Sequence, residues 1–461
     1  MRALYDSKTK TMYDYGIREL LGSNQKYQSW LDVEAALAAA QGELGIIPEE
    51  AAKNINEAAR LENIDLEEME RLKESVGHGF VPFLKVFIKA CNEESGKYVH
   101  YGVTTQNIQQ TAQLLVVSKI HDRMMNVLAD ILSHLGDLAE KHQNTVMPGR
   151  THGRHAIPIT YGYKVSVWIS ETIDAIERLS EAAKRTFQVM MGGAVGSFNT
   201  FGEAGIKLQS EVAKLLNMHA MQVPSRNITS HKTEYIHALA LLANGFHKIA
   251  EEVYTTSIEE IGEVSESFAS GTIGSSTMPH KINPKLSKGI IANAQKLYTL
   301  PQLCLNAAAR PYEADSSQYM VFDAALEEAI ELITEIVLRT EELTKGISVH
   351  VDKMKENASL NKGLDNSEFI MMEIAKRLGK DKAHTIVYNK AIQVQTEGSS
   401  FVDALLEDKD VNEMFSRDEI KSMLLPEKYV GAGHIIAGKQ AERAFHVSEK
   451  IKKDMKFDGA E

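Results

Sequence analysis

Cysteine, proline and net positive charge are all in short supply in this chain of 461 residues, and each shortage excludes something. There are two cysteines, Cys91 and Cys304, far apart and without CxxC or zinc-ligand spacing. That excludes a disulfide scaffold and a zinc-finger-type site, and a reducing compartment is expected. No run of 18 apolar residues occurs, and MRALYDSKTKTMYDYG has no apolar core of signal-peptide length. A soluble cytoplasmic protein without membrane partners is therefore expected. Lys and Arg number 51 against 63 Asp and Glu, a formal net charge of −12. An acidic surface repels phosphate backbones, so nucleic acid is not an expected partner, and any anionic ligand must be met by local cations. With 43% hydrophobic and 25% charged residues, the composition is that of an ordinary globular protein with enough chain for several cores.

The ten prolines are unevenly placed: none falls between Pro82 and Pro148, Pro158 and Pro224, or Pro311 and Pro426. Proline breaks helix interiors, so these gaps permit very long helices. Val117, Ile120, Met124, Val127 and Ile131 recur at spacings of three and four, as do Leu239, Leu242, Phe246, Ile249 and Val253. So do Leu326, Ile330, Ile333 and Val337. This periodicity predicts an all-α protein dominated by a bundle of long helices. Three parts are expected: an N-terminal helical domain over 1–107, a central long-helix domain over 108–350, and a C-terminal domain of shorter helices over 351–461. Seams this long suggest pairing with copies of the same helices, hence a homo-oligomer.

Four segments could carry chemistry. Gly271–Pro284 combines glycines, hydroxyls, Lys281 and Asn283 between two helical stretches. It could wrap a carboxylate, with a serine as nucleophile or base, or be a flexible linker. Gly149–Pro158 carries His152 and His155, three apart. Facing one way on a helix they could bind a metal, although no third ligand stands at a recognisable spacing. An imidazole acting as general acid or base fits better, and a structural histidine is the bland alternative. His100–Asn107 clusters hydroxyls and amides just before a long helix, where they could bind a small anion or simply cap the helix. Gly433–Gln440 has P-loop spacing but ends in Gln440 where the magnesium-binding hydroxyl belongs, and it reads as a helix connection.

In this order the segments resemble the fumarase/aspartase superfamily. Gly274–Pro284, GSSTMPHKINP, resembles its signature loop GSSxMPxKxNP, while GRTHGRHAIP and VHYGVTTQN are similar to GRTHGQxAxP and VHYGxTSxD of adenylosuccinate lyases. Leu31–Ala52, LDVEAALAAAQGELGIIPEEAA, is more similar to the carboxymuconate cycloisomerase branch. The resemblance implies a three-domain all-α fold and a homotetramer with a twenty-helix core. It also implies active sites built from three subunits, and elimination next to a carboxylate, usually releasing fumarate, without metal or organic cofactor. On the matching positions, Ser275 is the base and Ser276, Lys281 and Asn283 contact the substrate. His152 is the general acid, His78 a second active-site histidine, Thr104 and Thr105 carboxylate contacts, and Gln222 a substrate contact.

The departures bear on the substrate. Adenylosuccinate lyases carry an Arg-Tyr pair where this chain has Leu4-Tyr5, and His-Asp where it has His78-Gly79. Their HERD…SSxxR stretch, with phosphate-binding arginines, is replaced by Tyr312–Gln318. Thirteen positions after Ser275, where most of the superfamily has a glutamate paired with the general-acid histidine, stands Lys288. A cation there would lower the pKa of His152. Another carboxylate could orient that histidine, donation could move to a group such as His78, or the leaving group could need little protonation. The expected function is a carbon–nitrogen lyase releasing fumarate from a non-nucleotide N-(1,2-dicarboxyethyl) substrate. The alternatives are adenylosuccinate lyase, a carboxymuconate cycloisomerase-like enzyme and an inactive helical scaffold.

Overall fold

The computed structural model describes residues 12–267, 277–278 and 280–455. The proline-poor windows are filled by helices Thr105–Lys141, Tyr161–Thr186, Ser230–Thr256 and Ser316–Gly346, of 37, 26, 27 and 31 residues. The strands described are short and form three two-stranded sheets. The chain is thus all-α in class. Among the described residues no helix is long and apolar enough to cross a membrane.

The three apolar series behave as their spacing predicts, with every named residue from Val117 to Val337 at most 5% exposed. Their burial corrects one inference, however. These seams are covered within a single chain, so they do not by themselves demand a second copy.

The contacts divide the chain into two compact units, each assembled from three stretches. The first comprises residues up to Val127, Ala175–Asn244 and Ala292–Leu338. Its core is built on Trp30, which meets Phe80 and Phe83 edge-on at 5.0 and 5.1 Å. Leu31, Leu37, Ile108, Leu114, Val189, Leu208 and Val212 close round them. Such edge-on pairs contribute about 0.5–1.5 kcal/mol beyond area burial. The helix Ser23–Glu43 enters this core carrying, besides Ser29, the buried polar residues Glu34 and Gln41. They are seven positions apart, two turns along, and so lie on one face.

The second unit comprises Leu128–Asp174, Gly245–Ile291 and Arg339–Glu461. In it Val146–Thr151 and Arg154–Thr160 pair as an antiparallel hairpin, irregular between Pro148 and Arg150. A Cβ on Gly149 would lie 2.5 Å from the Ile157 carbonyl oxygen, so only glycine fits that irregularity. A second apolar cluster joins Ile370, Ile374, Val387, Phe401, Leu405, Val411, Ile420 and Leu424. The 22-residue helix Gly433–Asp454 follows, longer than the short C-terminal segments expected from sequence. It packs on Gly136, where a Cβ would meet the Phe445 ring at 2.7 Å. Gly433–Gln440 forms the first turns of that helix, so its backbone makes no loop to cradle a phosphate.

Candidate active site

His152 does not lie on a helix with His155. It occupies the two-residue turn of the hairpin, with φ of 53° at His152 and 73° at Gly153. Positive φ at both positions defines the type I′ turn that matches strand twist. A non-glycine residue held there is strained, and such strain concentrates at functional positions. The turn presents His152 to solvent, while His155 lies in the strand with its Nδ1 3.8 Å from Asp365. The metal reading of this pair gains no third ligand: among the described residues no group of three or more His, Cys, Asp or Glu is placed to hold an ion.

The stem beneath His152 is fixed by charge. Arg150 makes two bonds to the fully buried Glu263, Nη1–Oε2 at 2.9 Å and Nη2–Oε1 at 2.5 Å. Asn357 Nδ2 donates to the same Oε1 at 2.9 Å. Three residues on, the Glu266 carboxylate accepts from Leu286 N at 2.9 Å and Ser287 N at 2.7 Å, capping the helix Lys285–Leu297. Between these glutamates Val264–Ser265 pairs with Ser348–Val349. The segment Glu263–Glu266 is therefore a strut, one end clamping the His152 hairpin and the other the helix that Lys281 and Asn283 lead into. Ser275 and Ser276 lie outside the described residues. Lys281 is exposed and its N–H is bonded to Met278 O at 3.0 Å, and Asn283 is half-buried. Replacing Glu266 with Ala is expected to cost about 1–2 kcal/mol in urea denaturation, the usual loss for a helix cap. A change below 0.5 kcal/mol, on the order of surface noise, would show that water replaces the carboxylate.

In the first unit His78 follows Gly77, whose φ of 64° ends the helix Leu66–Val76. Its Nδ1 accepts from both Phe80 N and Val81 N, each at 3.1 Å, at the start of the helix Val81–Ala90. An accepting Nδ1 leaves Nε2 as the ring nitrogen free to face a ligand. The Phe80 ring lies 5.5 Å from that of His100. Phe80 thus brings the His78 turn and the His100–Thr105 segment to one place.

That segment is gripped by the polar face of Ser23–Glu43. His100, at φ 59°, bonds through Nδ1 to Glu34 Oε1 at 2.7 Å, and Gln41 Nε2 donates to Tyr101 O at 2.8 Å. Thr105 opens the long helix, and Asn107 Oδ1 accepts from Thr104 N at 3.0 Å and Gly193 N at 3.1 Å. The Asn107 side chain thus ties the start of this helix to the Gly193 turn. Gln222 is exposed beside Met221, whose N–H bonds to Val189 O at 3.1 Å. Met190 N in turn bonds to Thr111 Oγ1 at 3.2 Å, tying the Gln222 segment to the start of the same long helix.

The candidate residues therefore form two sets. His78, Thr104, Thr105 and Gln222 stand on the first unit, and His152, Lys281 and Asn283 on the second. Sequence reasoning missed Glu34, Glu263 and Glu266. For Glu34 a signal existed: a lone carboxylate inside the apolar run Val33–Ala40. Both cysteines are buried. Burial, reinforced by the Glu34 charge, pushes the Cys91 thiol up to about 11, and burial pushes Cys304 up to about 11 as well.

With this geometry in place, comparison with known proteins defines the class. A family model described as Lyase matches residues 11–296, and one described as Adenylosuccinate lyase C-terminus matches 363–439. The chain belongs to this lyase family, within the fumarase/aspartase superfamily. It is 32% identical to an N-acetyl-S-(2-succino)cysteine lyase of Dickeya dadantii, over 90% of this chain and 91% of that one. It is 33% identical to an adenylosuccinate lyase of Methanocaldococcus jannaschii, over 91% and 92%. Its fold matches 3-carboxy-cis,cis-muconate lactonizing enzyme of Pseudomonas putida with a TM-score of 0.88, at 25% identity, over 98% of this chain and all of that one.

Proposed function

We propose that this lyase is a β-elimination enzyme that releases fumarate from a non-nucleotide substrate bearing a 1,2-dicarboxyethyl group on nitrogen. The observation that carries the reading is the Glu263–Glu266 strut, which clamps the His152 hairpin and the helix after Lys281 and Asn283 to one short segment. Ser275 takes the proton alpha to one carboxylate. The electron pair forms the C=C bond, the bond from carbon to the heteroatom breaks, and that pair leaves with the heteroatom. The charge that develops on the carboxylate is the main barrier, and Lys281, Asn283, Thr104 and Thr105 are the groups to stabilise it. His152 or His78, as imidazolium, supplies a proton to the departing group. These residues come together in a cytoplasmic homotetramer with sites shared between subunits, a reading supported by exposed Leu241, Leu303 and Met320 on its long or adjoining helices.

One observation favours a second reading, attachment through sulfur. Among the described residues His152 makes no ion pair with a carboxylate, and Lys288 stands where the superfamily has glutamate. A thiol, with a pKa of about 8.5, departs as thiolate with little help from an acid, whereas an amine leaves only once its nitrogen is protonated. The Dickeya relative is named for such a substrate.

The test is fumarate release from an N-(1,2-dicarboxyethyl) amino acid, S-(2-succino)-N-acetylcysteine and adenylosuccinate, with Ser275→Ala protein as control. Release from the first supports the nitrogen reading and from the second the sulfur reading. Release from adenylosuccinate alone overturns both, and release from none of them sets the elimination reading aside in favour of cycloisomerase or scaffold.

A further inference from the structure

The hairpin that carries His152 is gripped on both of its strands. Arg150 and His155 stand directly opposite each other in its register, so their side chains leave the same face. Arg150, on the first strand, is held by the buried carboxylate of Glu263. His155, on the second, turns its Nδ1 toward Asp365 Oδ2 at 3.8 Å. That nitrogen is buried and has no hydrogen-bond partner among the described residues. The His155 and Asp365 side chains are 16% and 8% exposed, so solvent screens the contact little.

Asp365 is itself held in place. It lies in the single turn Leu364–Asn366, which follows Gly363 at φ 91°. A Cβ on Gly363 would lie 2.8 Å from the Leu424 Cβ, so the turn sits tight against that residue. The buried Asn366 donates through Nδ2 to Met423 O at 2.8 Å and Leu425 O at 2.9 Å, pinning the turn to the end of the helix Arg417–Met423. Asn361 Nδ2 donates to Asp365 Oδ1 at 2.7 Å, which leaves Oδ2 facing His155. An imidazole carries a proton on Nδ1 as the cation and in one neutral form, while a carboxylate only accepts. A buried donor without a bond is costly, and closing this gap by about 1 Å makes a charge-assisted one. A hairpin held through one strand can still rotate about that strand. Holding opposite residues on both strands fixes the plane of the ladder, and a type I′ turn transmits that plane directly to His152.

We propose that Asp365 is a positioning residue for His152. Through the Nδ1–H of His155 it fixes the second strand of the hairpin, as Glu263 fixes the first, and so aims the His152 imidazole. This rests on the elimination reading above, in which His152 is one of the proton donors. A carboxylate from the C-terminal part of the chain thus serves the His152 hairpin, while Lys288 stands at the position of the superfamily's glutamate.

The experiment compares wild type with Asp365→Asn, His155→Leu and His155→Asn by two readouts. The first is kcat and KM on whichever of the three substrates above the wild type cleaves. The second is hydrogen–deuterium exchange of the hairpin Val146–Thr160 in the intact protein, which needs no substrate. Both groups facing Asp365 are donors, so an amide in its place can accept from one of them only. Asp365→Asn is expected to lower kcat roughly 10- to 100-fold with KM little changed. It should also raise exchange at Thr151–Arg154 on the order of 10-fold. His155→Leu should do the same, and His155→Asn, whose amide N–H stands near the place of Nδ1, should recover part of the loss. A role confined to stability would lower the urea midpoint and leave kcat of the folded variants unchanged, which would overturn the proposal. Unchanged hairpin exchange, a rise in KM with kcat unchanged, or equal kcat for the two His155 variants would overturn it as well. If the wild type cleaves none of the substrates, the elimination reading fails alone and exchange decides the positioning pair. Raised exchange in Asp365→Asn and His155→Leu then upholds the pair's hold on the hairpin, and unchanged exchange overturns it.

Discussion

Replacing Arg150 with Met is expected to lower stability by about 3–5 kcal/mol, the usual cost of stranding one member of a buried ion pair. Glu263 is fully buried, and its remaining side-chain donor is Asn357 Nδ2 at 2.9 Å. Losing two charge-assisted bonds leaves the carboxylate desolvated without compensation. Urea denaturation of the single variants and of Arg150→Met with Glu263→Met closes a double-mutant cycle. The double variant should recover most of the loss, because two apolar groups of similar size replace the pair. Arg150→Lys should fall between, since an ammonium cannot make both bonds. A single-variant loss below about 1 kcal/mol, typical of exposed pairs, would mean that water reaches Glu263. Because the pair supports the hairpin bearing His152, the Met variant should also lose activity below its unfolding temperature.

The second large effect is acid instability between about pH 6.5 and about pH 3. Burial holds the imidazole of His121 down at about 4, and burial together with the Lys232 charge holds that of His231 at about 3. In the unfolded chain both return to about 6.5. Above that pH both states are neutral and neither histidine contributes to the pH dependence. As pH falls, the unfolded chain takes up two protons that the folded one refuses, so stability is lost progressively. Integrated down to the folded values, the losses are about 3 kcal/mol for His121 and about 5 kcal/mol for His231. Asp323, whose carboxyl burial raises, and Asp122, raised likewise, act in the opposite direction near their own range. His121→Gln and His231→Met should each flatten the stability–pH slope in this window, whatever their stability at pH 7.5. An unchanged slope would show that these rings are protonated in the folded protein.

Much of the fold was legible in the residues. The proline gaps and the series from Val117 to Val337 place four long helices, because an amphipathic face is a local pattern that survives translation into three dimensions. The Thr104–Asn107 segment was legible too, as a helix start. The hairpin was not legible, because two histidines three apart fit a helix as well as a turn. The decision falls to a glycine at φ 73° and a bulge at Gly149, neither visible as spacing alone.

By itself, then, the sequence determined the helical class and the superfamily, since local periodicity and contiguous motifs carry that information. Only the tertiary structure decided which charges meet. Arg150 and Glu263 are 113 positions apart, and His100 and Glu34 are 66 apart. The fastening of the Arg310 loop to Arg226 and Asn227 is likewise made across 84 and 83 positions. Pairing and desolvation are properties of packed neighbours, and packing brings together residues whose separation along the chain carries no pattern to read.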